Sequence, residues 1–576
     1  MSSLSSLYVG VSGLKVSQAA LNITSHNLAN VDTDGYVRQQ PVLTDFNYVK
    51  LGETHISTMQ QGLGANFATV KQVRDNFLDQ AYRQEIGREA FYEAQYNTVR
   101  EVEGFFGELE GETFQNSMNN LWTSLQELAK EPDSIVTRAS LIQTSVSFIE
   151  RAENISKQLK DYQINLNTQI KEQVDRINVI GKNIKDLNLK IRQYECSGVE
   201  KANDYRDQRN CLLDELGKLA NITYKENTYG IVTVNLEGQT LVSEDAAFRM
   251  TTEKINPNSE MLKPVWVEHS GADVFNMDVA ASSDSNTDIG SLKGLLVARG
   301  YKQANYTDIP IRDHYESDTL YNAAVRDYNN NINSSVIMTV QAEFDQLIHG
   351  ITTKINDLLC PNIEVTLADN TKIKILDEAN APVGMDSNKT MGEALFNRKS
   401  TDRYSEPQNI QIIDESGAIQ TITARIYNEE NASDNYSLFT LGEIEVNPNI
   451  MQNYSIIPLS SNTGSGDFDI KTVDKIISGW QEKFSTLNPN TLTQNNFSEY
   501  YNSFISELGN RGEQLDTIST NQASMVESIN NKRTEITGVS SDEELTNLIK
   551  YQHAYNASAR YVTVVSEMLK DIVEKL

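Results

Sequence analysis

The chain has 576 residues and a formal net charge of -29. A chain of this length exceeds what one hydrophobic core usually supports, so we expect about two to four domains. The acidic balance argues against binding nucleic acid or an anionic membrane surface through general electrostatics. No stretch reaches the roughly 20 apolar residues of a membrane span, and the first residues lack the pattern of a cleaved secretory signal.

The first predicted element is a helix whose apolar residues recur in alternating steps of three and four. Its stripe consists of Leu4, Leu7, Val11, Leu14, Gln18, Leu21, Ser25 and Leu28. Such spacing keeps one narrow face aimed at a partner helix. Gly10 and Gly13 lie within this helix and each costs about 1 kcal/mol relative to Ala, so we expect the helix to fold only when packed.

A turn is predicted to end this helix at residues 29–39. Gly35 can adopt a positive φ at little conformational energy cost, and Asn30, Asp32 and Asp34 supply local capping groups. The same residues imitate the start of an EF-hand loop. Pro41, however, stands at the twelfth position, where such a loop needs a bidentate Glu. The pattern therefore favours a capped turn over a calcium site.

The next 180 or so residues are predicted to form a bundle of long helices. Of the 11 prolines, only Pro41 and Pro132 precede residue 257. A heptad pattern from Glu150 to Tyr194 indicates one long helix, and further helices are expected after Asn76, Thr113 and Pro132. The cysteines, Cys196, Cys211 and Cys360, are odd in number and form no C-x-x-C pair. They predict neither a disulfide framework nor a zinc site.

Beyond Lys218 the pattern becomes that of strands, with one helical interlude at Ala342–Leu359. The β-branched runs lie at 231–236, 240–242, 363–367, 371–376, 410–413 and 419–426. Phe396–Ser433 resembles no segment of a known family. We therefore expect a short Gly/Ser linker to replace it without loss of assembly, because loops tolerate changes of length.

The last helix carries a second stripe with the same spacing as the first. It consists of Leu545, Leu548, Gln552, Tyr555, Ala559, Val562, Ser566, Leu569, Val573 and Leu576. Chain ends usually fray unless something ties them down, so we interpret the two terminal helices as partners. Two ordinary amphipathic core helices are the alternative. The predicted fold is α+β and multidomain: an α-helical coiled-coil or bundle stalk formed by both termini, with β-rich domains inserted in the middle.

Both ends of the chain resemble one bacterial family. The turn Ala29-Asn-Val-Asp-Thr-Asp-Gly-Tyr-Val-Arg-Gln39, in which Asn30, Gly35 and Tyr36 are the motif residues, is similar to the signature of flagellar rod, hook and hook-associated axial proteins. Residues 552–560 are similar to the Gln-x-Ala-Tyr-x-Ala-x-Ala-Arg core of that family's C-terminal helix.

Two interior segments resemble the hook-associated members of this family. They are Ala202–Leu216, with its Asp207-Gln-Arg209 core, and Gly290–Arg299; Gly300 departs from the family's usual Asp. The resemblance implies a structural protein without enzymatic activity or cofactor, which self-assembles where hook joins filament. The apolar residues of both terminal stripes would then pack subunits together. Another flagellar axial protein, of hook or rod type, is one alternative, and an adhesin or enzyme displayed by the β inserts is a second.

The domain limits follow from the pattern and the resemblance. We predict a terminal coiled-coil domain (1–40 with 541–576), a helical bundle (41–220 with 488–540, and the helix in 300–360), a β-rich domain (221–299) and a second, outer β-rich insert (361–487).

The resemblance also implies partners and a location. The partners are further copies of the chain, the hook protein, hook-associated protein 3 and an export chaperone that holds the C-terminal helix. The location is the extracellular flagellum, reached through the flagellar type III apparatus without a cleaved signal peptide. No H-E-x-x-H, G-x-S-x-G or Walker-type sequence occurs, so no catalytic or metal residues are proposed.

Overall fold

The computed structural model describes residues 2–53, 58–107, 113–196, 201–257, 259–413, 417–461 and 470–575. Within these residues the helices are α1 (Ser2–Ala29), α2 (Asn76–Phe106), α3 (Phe114–Lys130), α4 (Ile135–Glu195), α5 (Asn203–Leu219), α6 (Ser291–Arg299), α7 (Asp318–Asp327), α8 (Val336–Leu359), α9 (Pro448–Gln452), α10 (Ile470–Gln481), α11 (Phe497–Thr537) and α12 (Ser541–Lys575).

The described strands pair only with antiparallel neighbours. They are β1 (Gln39–Asp45), β2 (Tyr48–Glu53), β3 (Thr58–Gly62), β4 (Ala65–Gln72), β5 (Ile222–Glu226), β6 (Val232–Leu236), β7 (Gln239–Val242), β8 (Met250–Lys254), β9 (Leu262–Trp266), β10 (Ala272–Asp273), β11 (Asn362–Leu367), β12 (Lys372–Leu376), β13 (Phe396–Arg398), β14 (Gln408–Ile413), β15 (Ile419–Ala424) and β16 (Ile444–Val446).

The predicted α+β class is confirmed, with helices at both ends and strands concentrated in the middle. The domain limits and the supercoiling of the terminal helices stay predictions. Two details differ from the expected pattern: β1–β4 lie between the first helix and the bundle, and α6 lies inside a segment predicted to be β-rich. The polar strands β1–β4 carry little apolar alternation, and α6 has only 9 residues, so neither gives a clear periodic signal.

The long helix predicted from the heptad pattern is part of α4, which has 61 residues. Most of its heptad positions face the core and are almost fully buried, whereas the last one, Tyr194, is 53% exposed. The buried positions are Ile155, Leu159, Leu166, Ile170, Ile177, Ile180, Ile184, Leu187 and Ile191. The helices beside it begin where capping residues stand. Asp75 accepts hydrogen bonds from the first amides of α2, and Thr113 accepts one from Asn116 in α3.

An aromatic cluster joins the helices of the body into one core. The rings of Phe106, Phe114 and Phe504 surround Phe344 of α8, with centroids 5.2, 4.9 and 6.3 Å from it. Helices from both halves of the chain thus share one core.

The expectation that a linker can replace Phe396–Ser433 is wrong for its first part. Phe396 is fully buried, and its backbone N–H and C=O bond the side chain of Asn356 in α8. Arg398, also buried, donates to the carbonyls of Ser437 and Asn428. Removing β13 would expose this core and orphan buried polar groups, so the segment is part of the architecture.

A pair of carboxyl groups lies at the contact between α8 and α11. The buried side chain of Glu343 and the partly buried one of Glu507 both accept from the amide of Asn488, at 3.0 and 3.1 Å. Arg511 of α11 is the nearby cation, and the hydroxyl of Tyr328 is buried without a hydrogen-bond partner. Burial first, and then the charge of Glu507, raises the pKa of Glu343 well above its ordinary value.

We predict that Glu343 makes the body less stable as the pH rises. The unfolded chain ionises Glu343 from its ordinary pKa of 4.5 upward, whereas the folded chain must retain the proton. The free energy of unfolding should therefore fall from about pH 5 until the raised folded pKa is passed. Glu343→Gln should flatten this slope, as measured by urea unfolding followed by tryptophan fluorescence. Glu567→Gln, an exposed position, is the matched control, and equal slopes in both variants would contradict the prediction.

Candidate assembly surface on the terminal helices

The first and last helices pack against each other in antiparallel directions. A Cβ atom added at Gly10 would lie 2.6 Å from Val562, and one added at Gly13 would lie 2.7 Å from Ser558. The partner position falls from 562 to 558 as the α1 position rises from 10 to 13. The glycines therefore allow an approach that larger side chains at these positions would prevent.

The buried side chains of α1 are small or polar rather than the predicted leucines. They are Val16, Ser17, Ala20, Thr24 and Asn27, which face α12 or strands β1 and β4. The predicted residues Leu7, Val11, Leu14, Leu21 and Leu28 are only half-buried. The side chain of Leu4 lies outside the described residues. The contact within one chain thus uses a face adjacent to the predicted stripe.

On α12, half of the predicted stripe lies toward α1. Leu548, Tyr555, Val562 and Leu569 are partly covered. Other covered residues of α12 are Glu544, Tyr551, Ser558 and Val565. Each of them immediately precedes a residue of the predicted stripe. Leu545 is 46% exposed and Val573 is 72% exposed, Ala559 is half-buried, and Leu576 lies outside the described residues.

A second apolar stripe on α12 is only partly covered within the described chain, and its first residue, Tyr561, also lies beside Gly10 of α1. Tyr561, Val564, Met568 and Ile572 are 45, 47, 58 and 50% exposed and recur in steps of three and four. Large side chains in this arrangement mark an interaction surface more often than an ordinary helix face. The spacing of this stripe is visible in the sequence, directly beside the predicted stripe.

The motif turn closes α1 as the sequence predicts. Gly35 has φ +77°, and a Cβ added there would collide with the sulfur of Cys211. Asn30 donates to the carbonyl of His26 and accepts from Thr33, so its oxygens serve the turn. The Tyr36 hydroxyl donates to Asn27 at 2.8 Å, which holds the turn against the helix. No group of three or more His, Cys, Asp or Glu in the described ranges is placed to hold a metal ion.

Residues 37–39 tie the terminal helices to the body. The Val37 amide donates to Asp207 of α5 at 3.3 Å, and Gln72 donates to the same carboxylate at 2.8 Å. Burial raises the pKa of Asp207 to about 7, although Val37 and Gln72 act in the opposite direction. Arg38 pairs with Glu543 and Glu544 at the start of α12, at 2.8 and 3.0 Å. One short segment thus contacts both the body and α12.

A network of buried charged residues lies beside residues 37–39. Arg533 of α11 pairs with Asp79 of α2 at 2.8 Å and with Asp214 of α5; Arg74 also bonds Asp79, and Arg83 bonds Asp214. Burial alone would raise the pKa of Asp79, but hydrogen bonds from Arg74 and the charges of Arg74 and Arg533 hold it below its ordinary value. The network fixes the last turn of α11, from which α12 departs.

The interior motif segments also perform packing roles. Arg209, 2% exposed, donates to Asn188 of α4 and to the carbonyl of Gly230, which joins α5 to the β5–β6–β7 sheet. Arg299 donates to Asn167 and to the carbonyl of Leu262. A Cβ at Gly294 would meet the backbone of Phe91 at 2.7 Å, so α6 lies close against α2. No helix among the described residues is long and apolar enough to cross a membrane.

We predict that adding a methyl group at Gly10 separates the terminal helices. Gly10→Ala gains helix propensity but places its Cβ against Val562, whereas Gly104→Ala, in α2, has no atom within 4 Å to meet. Gly104→Ala should stabilise the protein by about 1 kcal/mol. Gly10→Ala should instead increase hydrogen exchange in residues 548–569 with the body unchanged. Equal protection of α12 in both variants would show that the close approach is unimportant.

Three family models match the chain. One described as "Flagellar hook-associated protein FlgK helical domain" matches residues 99–366. Another, "Flagella basal body rod protein", matches residues 7–36. The third, "Flagellar basal body rod FlgEFG protein C-terminal", matches residues 530–574. The two end models cover the α1–turn and α11–α12 regions just described.

Curated relatives match over nearly the whole length. Flagellar hook-associated protein 1 of Bacillus subtilis is 24% identical, covering 97% of this chain and 96% of its own length. The protein of the same name from Salmonella typhimurium is 24% identical over 97% of each chain, and that of Escherichia coli is 22% identical over 98% of each.

A solved structure has a similar fold. The flagellar hook junction protein FlgK of Burkholderia pseudomallei aligns with a TM-score of 0.51 and 13% identity, covering 80% of this chain and 100% of that one. The family models at both ends and in the body agree with relatives that share one name along the full length. Along nearly its whole length, this chain is therefore similar to proteins named flagellar hook-associated protein 1.

Proposed function

We propose that this protein is a non-enzymatic structural component of the bacterial flagellum that self-assembles at the junction of hook and filament and connects the two. The observation that carries the proposal is the end-to-end match to hook-associated protein 1 relatives, including 97% of this chain. The match of the interior to the hook-associated helical domain favours this assignment over a hook or rod protein, which would share chiefly the two ends.

The geometry supports assembly by packing of surfaces, a mechanism that requires no chemical reaction. The α1–α12 pair presents apolar side chains that are about half exposed in the described chain, so association with other subunits would bury them further. The pairing of Arg38 with Glu543 and Glu544, and the network around Arg533, connect that pair to the body. In this proposal the terminal residues identified from the sequence, with the outer face of α12, pack subunits against one another.

The proposal extends to partners and delivery. Copies of the chain would form a ring or helical layer, with the hook protein on one side and hook-associated protein 3 on the other. An export chaperone would cover the exposed residues of α12 before delivery through the flagellar type III apparatus. The protein would act outside the cell, as part of the flagellum. The partly exposed apolar stripe of α12 supports both roles, because each requires an apolar surface that a partner can cover.

We predict that cells lacking this gene make intact hooks without attached filaments, as seen by electron microscopy. The full chain should restore filaments, and a chain lacking residues 545–576 should not, because it has no partner for α1. Immunoblots of the culture medium separate failed export from failed attachment. Filaments that remain attached in the deletion strain would refute the assignment.

A second set of variants tests the outer face of α12 itself. We predict that Val564→Ser, Met568→Ser and Ile572→Ser, combined in one chain, lower filament attachment about tenfold, which corresponds to about 1.4 kcal/mol. Val136→Ser with Leu492→Ser is the matched control, since those apolar residues are 77 and 96% exposed on the body. Equal loss in both sets would mean that surface apolarity in general, rather than this stripe, determines attachment.

A further inference from the structure

A cavity of about 690 Å³ lies between α2, α6 and strands β9 and β10. Lys293, Leu296 and Val297 form one of its walls, because positions three and four apart share one side of a helix. Phe91 of α2 and Phe275 add aromatic surface. Sites that hold small organic molecules usually measure roughly 300–1,000 Å³ and have a mostly apolar lining. The cavity therefore has the size and the lining of a ligand site.

Lys293 brings a positive charge into this lining. The residue is 4% exposed, and within the described part of the chain its amine forms no hydrogen bond or salt bridge. Burial lowers the pKa of Lys293, although the charges of Glu237 and Asp288 act in the opposite direction from a greater distance. Asp288 is already bonded by Arg88 and Tyr92, at 3.2 and 3.0 Å, and burial raises the pKa of Glu237. A buried ammonium group is costly unless it is paired and hydrogen-bonded, so Lys293 can accommodate an anionic partner.

A second cation of α6 also lines the cavity. Arg299 is 1% exposed, and its hydrogen bonds go to the neutral oxygens of Asn167, Leu262 and Gly300. Among the residues that the structure describes it forms no salt bridge, and burial lowers its pKa to about 10. Lys293 and Arg299 are about 9 Å apart along the helix axis. In the described chain, the cavity thus has two buried positive charges without a paired carboxylate.

The acidic side chains of the lining do not supply the missing partner. Asp273 pairs with Lys263 at 2.6 Å, and Asp278 is an exposed residue. Beside Asp278, the apolar residues Met277 and Val279 are 44 and 45% exposed, although both line the cavity. Partly exposed apolar residues at the edge of a cavity form a surface that an apolar ligand can cover. The buried cations and the apolar edge therefore indicate a ligand that combines a negative charge with an apolar group.

We propose that this cavity binds a short apolar carboxylate, aliphatic or aromatic, whose oxygens accept a hydrogen bond from the Lys293 amine while its apolar part lies against Phe91 and Val297. Such a ligand supplies a counter-charge and a hydrogen-bond acceptor in one group. The positive charge of Arg299 adds to the attraction, which is stronger in a site sheltered from water. None of the described lining residues belongs to α1 or α12, so the inference goes beyond the proposed function and does not depend on assembly.

Calorimetric titration of the native full-length chain with octanoate and with octylammonium tests the proposal without any substitution. The two probes share one alkyl chain and carry opposite charges. The general electrostatics of a chain with a net charge of -29 favour the cation, whereas the cavity favours the anion. Octanoate should bind one site per chain, and octylammonium should bind at least about tenfold more weakly. Equal affinities, tighter binding of octylammonium or no binding of octanoate would overturn the proposal.

Variants whose folding is verified by circular dichroism locate the bound octanoate. Lys293→Met replaces the amine by an unbranched apolar group and should lower the octanoate affinity at least about tenfold. Lys171→Met, at an exposed position of α4, is the matched control and should leave the affinity unchanged. Val297→Phe fills the cavity and should also lower the affinity, whereas Leu492→Ser, at a position that is 96% exposed, should not. Unchanged affinity in Lys293→Met or Val297→Phe, or equal losses in the controls, would place octanoate elsewhere and overturn the site.

Discussion

The close approach of α1 and α12 at Gly10 and Gly13 is the constraint on which the architecture depends. Because the first and last helices pack together, every other element must leave from and return to the same end of the molecule. The chain leaves through residues 30–39 and returns through residues 537–541. Both passages run past the same point, where the backbone N–H of Arg38 donates to the carbonyl of Thr537. The two connections therefore act as one joint.

That joint is held by buried charges more than by apolar packing. Burial of ion pairs is costly, and each carboxylate must keep its partners for the contact to persist. Asp79 has two arginines and Asp214 has two, with Arg533 common to both. A joint of this kind prefers one geometry, because sliding α11 by a single residue would leave charges unpaired. It can fix the direction of the terminal helices relative to the body better than leucines could.

The distribution of side-chain size on α1 separates two kinds of contact. Small residues face α12 within the chain, where a close approach gives many van der Waals contacts at little entropic cost. The larger apolar residues Leu7, Val11, Leu14 and Leu21 lie beside that face and are half-buried. The net charge of -29 favours solubility, while the apolar residues on the outer side of α12 are about half exposed. This division of surfaces fits a member of an axial protein family.

The sequence alone determined the α+β class, the long helix within α4, the turn at Gly35, and the family resemblance, because each depends on local periodicity, a glycine with positive φ or a linear motif. It did not determine which face of each terminal helix meets the other. The stripe of leucines gave the stronger periodic signal, but Gly10, Gly13 and Ser17 permit the closer contact, and only packing in three dimensions decides between neighbouring faces. Similarly, Phe396 and Arg398 carried no motif, and their burial became evident only with Asn356 and Ser437 beside them. Tertiary structure decided these points because close approach and buried hydrogen bonds join residues far apart in the chain, which no local pattern records.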